Sequence, residues 1–345
     1  MNAINPKAIS AFAKSHKIED ITAEKVLWLS KVICQISQSS LSKDIALMGG
    51  SAIVFLYRDM YRFSTDLDLD FVGNPNLGSN GDAEIRKIRR GHKKVLTEIA
   101  RSLGMQLIEV KQSKPILRFV QYELEYSSRF ARRAIVELDI SYRYCHAVLG
   151  LVEKKWPIKH KEVAPFAIQT FRPEELYASK VLAIVEGKER LDFPDRIGLL
   201  FKRKIRHLYD LYLLARDIEA GEKVFNLKRF HMLTLLFGLT RIEGFEFFRG
   251  NSIGSYGDSD IKQELVSVTP FGTKIPTAAE MKWVVRKFFD NHVFNYSKTE
   301  HRFIEDFKGK NFRPEDLFGT GVIAQGLKKA HYYKEILGKV KAITR

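Results

Sequence analysis

GGSAIVFLYRDMYRFSTDLDLD, residues 49–70, is the stretch on which the reading of the whole chain turns. It follows a short apolar run, Ile45-Ala46-Leu47-Met48, which reads as a buried strand entering a Gly-Gly turn. From Ser51 to Tyr61 the apolar residues Ile53, Phe55, Leu56 and Met60 fall at helical spacing. From Leu67 to Val72 the pattern alternates, as a strand does. Asp66, Asp68 and Asp70 then project from one face, and Leu67, Leu69 and Phe71 from the other.

A strand, a glycine turn, a helix and a carboxylate-bearing strand suit phosphate chemistry. Backbone N–H groups at a glycine-rich turn cradle a triphosphate. Two Asp at i and i+2 on a strand stand roughly 6–7 Å apart, a span that suits a pair of divalent cations about 4 Å apart. Mg²⁺ takes such hard oxygen ligands together with substrate phosphates. Both Asp66/Asp68 and Asp68/Asp70 meet this requirement. A third carboxylate is expected from a neighbouring strand, and Ile135-Val136-Glu137-Leu138-Asp139-Ile140 offers Glu137 and Asp139 on one face. Neither Gly-Gly-Ser nor Asp-x-Asp is informative alone; the spacing between them is.

Gly49-Gly50-Ser51 followed by Arg62-Phe63-Ser64-Thr65-Asp66-Leu67-Asp68 resembles the signature of the AbiEii/AbiGii toxins, which include the MenT toxins, within the DNA polymerase β-like nucleotidyltransferases. The resemblance fixes the register. It implies that Asp66 and Asp68 are the metal pair, with Asp139, in the family's apolar-Asp-apolar element, as the third ligand. It also implies nucleotide contacts from Gly49, Gly50, Ser51, Arg62 and Ser64. Further on, Glu175-Leu176-Tyr177-Ala178-Ser179-Lys180-Val181-Leu182-Ala183 resembles the family's lysine-bearing helix, so Lys180 is expected on the triphosphate. Arg206-His207-Leu208-Tyr209-Asp210-Leu211 resembles its R-D-x-Y-D-L helix, with His207 where the first Asp usually stands. Asp210 remains as the acid expected to act. Segments 300–304 and 313–318 resemble the closing part of the family pattern.

Around this centre the chain reads as α+β, with a polymerase β-like nucleotidyltransferase domain and mixed sheet at 1–165. A mostly helical domain at 166–345 is expected to complete the nucleotide cleft. Expected helices cover 8–40, 83–103, 174–189, 199–217, 227–238, 278–292, 298–308, 314–318 and 326–342, with strands at 105–110, 116–126, 135–142 and 163–170. Residues 127–133 read as a basic hairpin turn, 153–160 as an interdomain boundary and 250–276 as a long connection.

The formal charge of +16 over 345 residues favours a polyanionic partner. Basic residues cluster at Arg86, Lys87, Arg89, Arg90, Lys93 and Lys94, at Arg129, Arg132 and Arg133, at Lys154, Lys155, Lys159 and Lys161, and at Lys202, Arg203, Lys204 and Arg206. Arg86, Arg90, Lys93 and Lys94 form a helical stripe able to follow a phosphate backbone, and Arg203 joins them as a candidate RNA contact. Two cysteines, Cys34 and Cys145, exclude a disulfide framework and a multi-cysteine zinc site, as suits a reducing cytoplasm. No apolar run is long enough to span a membrane, and no signal segment is expected.

The expected activity is therefore transfer of NMP from an NTP, with two Mg²⁺ ions, to an RNA acceptor. The resemblance implies a tRNA 3′ end for some members, and a toxin partnered by an antitoxin in phage defence. Acceptors of other kinds, a small-molecule or protein hydroxyl, keep the same fold. A nucleotide-binding regulator without catalysis is the reading from a different class.

Overall fold

A computed structural model describes residues 4–73, 82–110, 118–142, 147–161, 163–185, 201–241 and 257–308; the side chains of 201–204, 240–241 and 308 lie outside that description. The chain divides into two units, Met1–Phe171 with Val266–Thr273, and Arg172–Leu265 with Lys274–Arg345.

The first unit is built on one mixed sheet. Its strands are β1 (Ile45–Met48), β2 (Asp66–Phe71), β3 (Gln106–Glu109), β4 (Phe119–Tyr126), β5 (Ala134–Ser141), β6 (Leu151–Lys155) and β7 (Ala167–Phe171). They lie in the order β3-β4-β5-β2-β1-β7-β6. β2 is central, parallel to β5 and antiparallel to β1. Alternation along β2 buries Leu67, Leu69 and Phe71, while Asp66 and Asp68 on the other face stay partly open. Of the three helices α1 (Pro6–His16), α2 (Asp20–Gln38) and α4 (Asp82–Ser102), α2 packs against β5 and α4, and α4 against β3.

Several expectations are corrected. The helix expected over 8–40 is two helices. Lys17 takes a left-handed conformation (φ 55°) and its N–H bonds the carbonyls of Ala13 and Lys14, which stops α1. The helix expected over 51–61 is a single turn, α3 (Gly49–Ala52), running into one wide turn at Ile53–Tyr57 and ending at the extended Arg58. Residues 153–155 lie in β6, which pairs with β7 in antiparallel register; the β-branched and apolar content of Leu151-Val152 was too short a signal. Within the expected connection at 250–276, Asp258–Val266 forms a helix, α8, whose buried face is only Ile261 and Leu265. The helices expected at 314–318 and 326–342 fall outside the described residues.

Hydrogen bonds fasten Val266–Thr273 within the first unit. Phe63 N–H donates to the Val268 carbonyl (2.6 Å), Phe271 N–H to that of Lys17 (2.5 Å), and the Thr22 hydroxyl to that of Ser267 (3.4 Å). The first of these holds the segment leading to the carboxylates of β2.

The second unit is helical: α5 (Pro173–Ile184), α6 (Phe201–Glu219), α7 (Leu227–Arg241), α9 (Ala278–His292) and α10 (Lys298–Lys308), with α8. α5 packs on α6 and α7, and α6 on α9, around Tyr177, Leu208, Leu211, Phe230, Phe237 and Phe288. At α10 the Ser297 hydroxyl accepts the Glu300 N–H (3.3 Å) while the Ser297 N–H donates back to Glu300 Oε2 (2.7 Å), a capping box. The other Glu300 oxygen accepts from His231 Nε2 (2.9 Å), and His231 Nδ1 faces the His292 carbonyl (3.1 Å). Two acceptors favour the doubly protonated imidazole.

This cluster carries a pH dependence. Burial would raise Glu300, yet the bonds from His231 and Ser297 hold its carboxyl at about 2. Burial would lower His231, yet Glu300 and the His292 carbonyl keep it above its usual 6.5. The raised His231 stabilises the fold below 6.5 and loses that contribution as pH rises through its folded value. The depressed Glu300 contributes above its usual 4.5 and loses it as pH falls towards 2. The difference in melting temperature between the wild type and Glu300→Gln is therefore expected to be greatest between pH 4.5 and 6.5 and to shrink on both sides. A difference independent of pH would contradict this coupling.

Candidate active site

The site of the first unit is set by strand register. Asp68 on β2 is paired with Asp139 on β5 on one side and with Met48 of β1 on the other. Asp66 is paired with Glu137, and Asp70 with Ser141. Met48 leads directly into Gly49, so β1 delivers the glycine turn to the end of the sheet where Asp66 and Asp68 stand. Thr170 donates its hydroxyl to the Leu47 carbonyl (2.8 Å) and Tyr57 to that of Phe171 (2.8 Å), which pins β1 and the wide turn to β7.

Gly49 has φ +67°, and a Cβ there would overlap the Asp68 carboxylate. Glycine is thus required on two counts, conformation and space. A Cβ on Gly50 would stand 3.0 Å from Arg62 Nη2 and 3.4 Å from Ser64 Oγ. The Gly-Gly step is therefore lined by a carboxylate on one side and a buried guanidinium on the other. The first N–H groups of α3 have no carbonyl within their own helix. The Ser51 hydroxyl donates to the Asp66 carbonyl, and the Ser64 hydroxyl to Asp66 Oδ1 (2.9 Å), so both serines fix Asp66 from opposite ends of the segment. Asp139 and Asp70 are buried at 7% and 4% exposure.

The donor chemistry of Asp66, Asp68 and Asp139 is that of a hard divalent cation. Among the described residues, however, no three His, Cys, Asp or Glu side chains are gathered closely enough to form a ready metal site. The carboxylates share a sheet face and a register without closing on a point.

Lys180, Asp210 and His207 belong to the second unit. Lys180 Nζ lies 2.6 Å from Asp210 Oδ2, at 3% and 0% exposure. His207 Nδ1 stands 3.0 Å from the same ammonium and accepts from it. Sequence reasoning left His207 aside as a departure from the family pattern. Its signal was the spacing: His207 and Asp210 are three apart on α6 and share a helix face. Glu174, at the start of α5, accepts the Asn226 N–H (3.3 Å).

Arg86, Arg90, Lys93 and Lys94 are exposed along α4. Lys93 is bonded to Glu109 (2.7 Å), as is Arg89 (3.4 Å), which neutralises one flank of the stripe. The side chain of Arg203 and residues 313–318 fall outside the described residues.

A glycine turn beside strand-borne carboxylates is an arrangement that suits nucleotidyl transfer. The family model for the nucleotidyl transferase AbiEii toxin of type IV toxin–antitoxin systems matches residues 31–285, and the chain belongs to that family. Among solved structures its fold is similar to that of MenT4, a nucleotidyltransferase toxin from Mycobacterium tuberculosis H37Rv, with a TM-score of 0.58 and 15% identity over 87% of this chain and 92% of that one. No curated protein matches the chain in sequence. Among the described residues no helix is long and apolar enough to cross a membrane.

Burial makes the Lys180–Asp210 pair sensitive to the loss of either member. An unpaired charge left in the interior costs about 3–5 kcal/mol, whereas an apolar pair of similar volume is often tolerated. Lys180→Met alone is expected to lower the unfolding free energy by about 3–5 kcal/mol in urea titrations, and Lys180→Met with Asp210→Leu to restore most of it. Equal stability of the single and double variants would contradict a buried ion pair.

Proposed function

We propose that the protein transfers NMP from an NTP to an RNA hydroxyl in a divalent-metal-dependent reaction, with a tRNA 3′ end as the acceptor. The observation that carries this reading is the register match of Asp68 with Asp139 beside the Gly49-Gly50 turn.

Asp66, Asp68 and Asp139 would hold Mg²⁺, two ions in all, which would neutralise triphosphate charge and align the attacking and leaving oxygens. The chain's own part is binding and positioning. The N–H groups of Gly49, Gly50 and Ser51 receive phosphate oxygens, with the Arg62 guanidinium behind them. Ser64 and Ser51 keep Asp66 in orientation. An acceptor hydroxyl attacks the α-phosphorus, a new P–O bond forms, the bond to pyrophosphate breaks, and the hydroxyl proton passes to the buried carboxylate of Asp139. Lys180, oriented by Asp210, is assigned to the phosphates on the family resemblance. The net charge of +16 supports a polyanionic acceptor over a small neutral one. As the toxin of a type IV pair the protein would act in the cytoplasm against its own cell's RNA, under the control of a cognate antitoxin and in the service of phage defence.

The test is incubation with each α-labelled NTP, Mg²⁺ and either total RNA or total protein. Label is expected in the tRNA fraction, and to fall to background with Asp68→Ala or Asp66→Ala while the variants keep the wild-type circular dichroism. Label only in protein would move the acceptor to a protein hydroxyl. Undiminished labelling by Asp68→Ala would remove the carboxylate mechanism.

A further inference from the structure

The β4–β5 turn, residues 127–133, reads Ser-Ser-Arg-Phe-Ala-Arg-Arg. Its tip presents Phe130, an aromatic ring 37% exposed, between the exposed Arg129 and Arg132. Arg133 is taken up by Glu123 and Glu125 across the hairpin. Among the described residues neither Arg129 nor Arg132 has an ion-pair partner. The tip is held in one shape by Ser128, whose Oγ accepts the N–H of Phe130 (3.0 Å) and of Ala131 (3.2 Å). Ser128 in turn donates to Glu24 (2.5 Å), a carboxyl only 4% exposed at the start of α2. A buried acid is thus used to fasten an exposed aromatic-basic loop, which lowers the ordering cost of any contact made there.

The topology places this loop at the working end of the sheet. β2 and β5 are parallel, and Asp66, the first residue of β2, is level with Glu137, the fourth of β5. β5 therefore begins three residues, roughly 10 Å, beyond the carboxylates on the side where β1 delivers Gly49. The hairpin tip extends further on that same side. A strand of nucleotides a few residues long spans such a gap.

We propose that residues 128–132 are a docking point for single-stranded RNA, in which Phe130 stacks on a base and Arg129 and Arg132 hold the flanking phosphates. Aromatic stacking on every base's π-face with cations alongside is how unpaired strands are gripped without sequence readout. The α4 stripe has cations and no such aromatic, so it follows a backbone and does not hold a base. This inference rests on the RNA-acceptor reading and names the surface that reading needs.

The experiment measures binding of a 5′-fluorescein single-stranded RNA dodecamer by anisotropy across a salt series, with a fluorescent polyglutamate of equal charge as comparison. Phe130→Ala is expected to weaken RNA binding by roughly 10-fold or more, and Phe130→Trp to keep it. Arg129→Ala with Arg132→Ala should reduce the salt slope by about 1.4, at about 0.7 for each phosphate no longer neutralised. Melting temperatures establish that each variant is folded. Wild-type RNA binding that all three variants share would overturn the hairpin's role while leaving RNA as acceptor. Equal loss of RNA and polyglutamate with the arginine variants, and none with Phe130→Ala, would make the loop a generic acid-binding surface and overturn it as well. A wild type that neither binds nor labels RNA would overturn the acceptor reading and this inference together.

Discussion

Two carboxylates in register on adjacent strands are a constraint before they are a site. Asp68 and Asp139 sit at paired positions of parallel strands, about 5 Å apart in the backbone, on the same face of the sheet. Like charges so placed repel, and Asp139 is also buried. Such an arrangement persists when positive charge compensates it. Arg62 is buried beside Gly50, and Ser51 and Ser64 form a polar bracket around Asp66. Compensating charge is what a bound divalent cation and its nucleotide would provide. The fold around β2 follows from the same demand. β1 must end beside Asp68 for Gly49 to turn there, and Gly49 must lack a Cβ because the Asp68 carboxylate fills that space.

The core of this arrangement was legible because it is local. Strand, glycine turn and Asp-x-Asp lie within 49–70, and period-two alternation is enough to put Asp66 and Asp68 on one face. The pairing of Asp68 with Asp139 joins residues far apart in the chain, which alternation alone leaves unspecified; the family likeness nominated Asp139, and its register with Asp68 is seen only in the fold. What stayed hidden has physical causes. Lys17 breaks the first helix through backbone conformation at a residue with no helix-breaking signature. The residues after Ala52 keep helical spacing, yet open into a single wide turn and stop at Arg58. β6 and α8 are short, and each buries too few side chains to stand out from a loop. His207 read as a lost acid, whereas in the fold its Nδ1 stands against the Lys180 ammonium.

Charge is managed differently in the two units. In the helical unit it is buried and paired, Lys180 with Asp210 and His231 with Glu300, so that it specifies which helices meet. On the sheet unit charge is buried at Asp139, Asp70, Arg62 and Glu24 and also displayed at the surface. α4 carries an exposed basic row partly neutralised by Glu109, and the β4–β5 turn carries Arg129, Arg132 and an aromatic held out by Ser128 and Glu24.

The central claim is that Asp68, and not its neighbour Asp70, faces the cation. Manganese binding followed by electron paramagnetic resonance, in the presence of a non-hydrolysable NTP, separates the two. Asp70→Asn is expected to bind Mn²⁺ as the wild type does, and Asp68→Asn about tenfold more weakly or worse. Retained binding in Asp68→Asn together with loss in Asp70→Asn would contradict it.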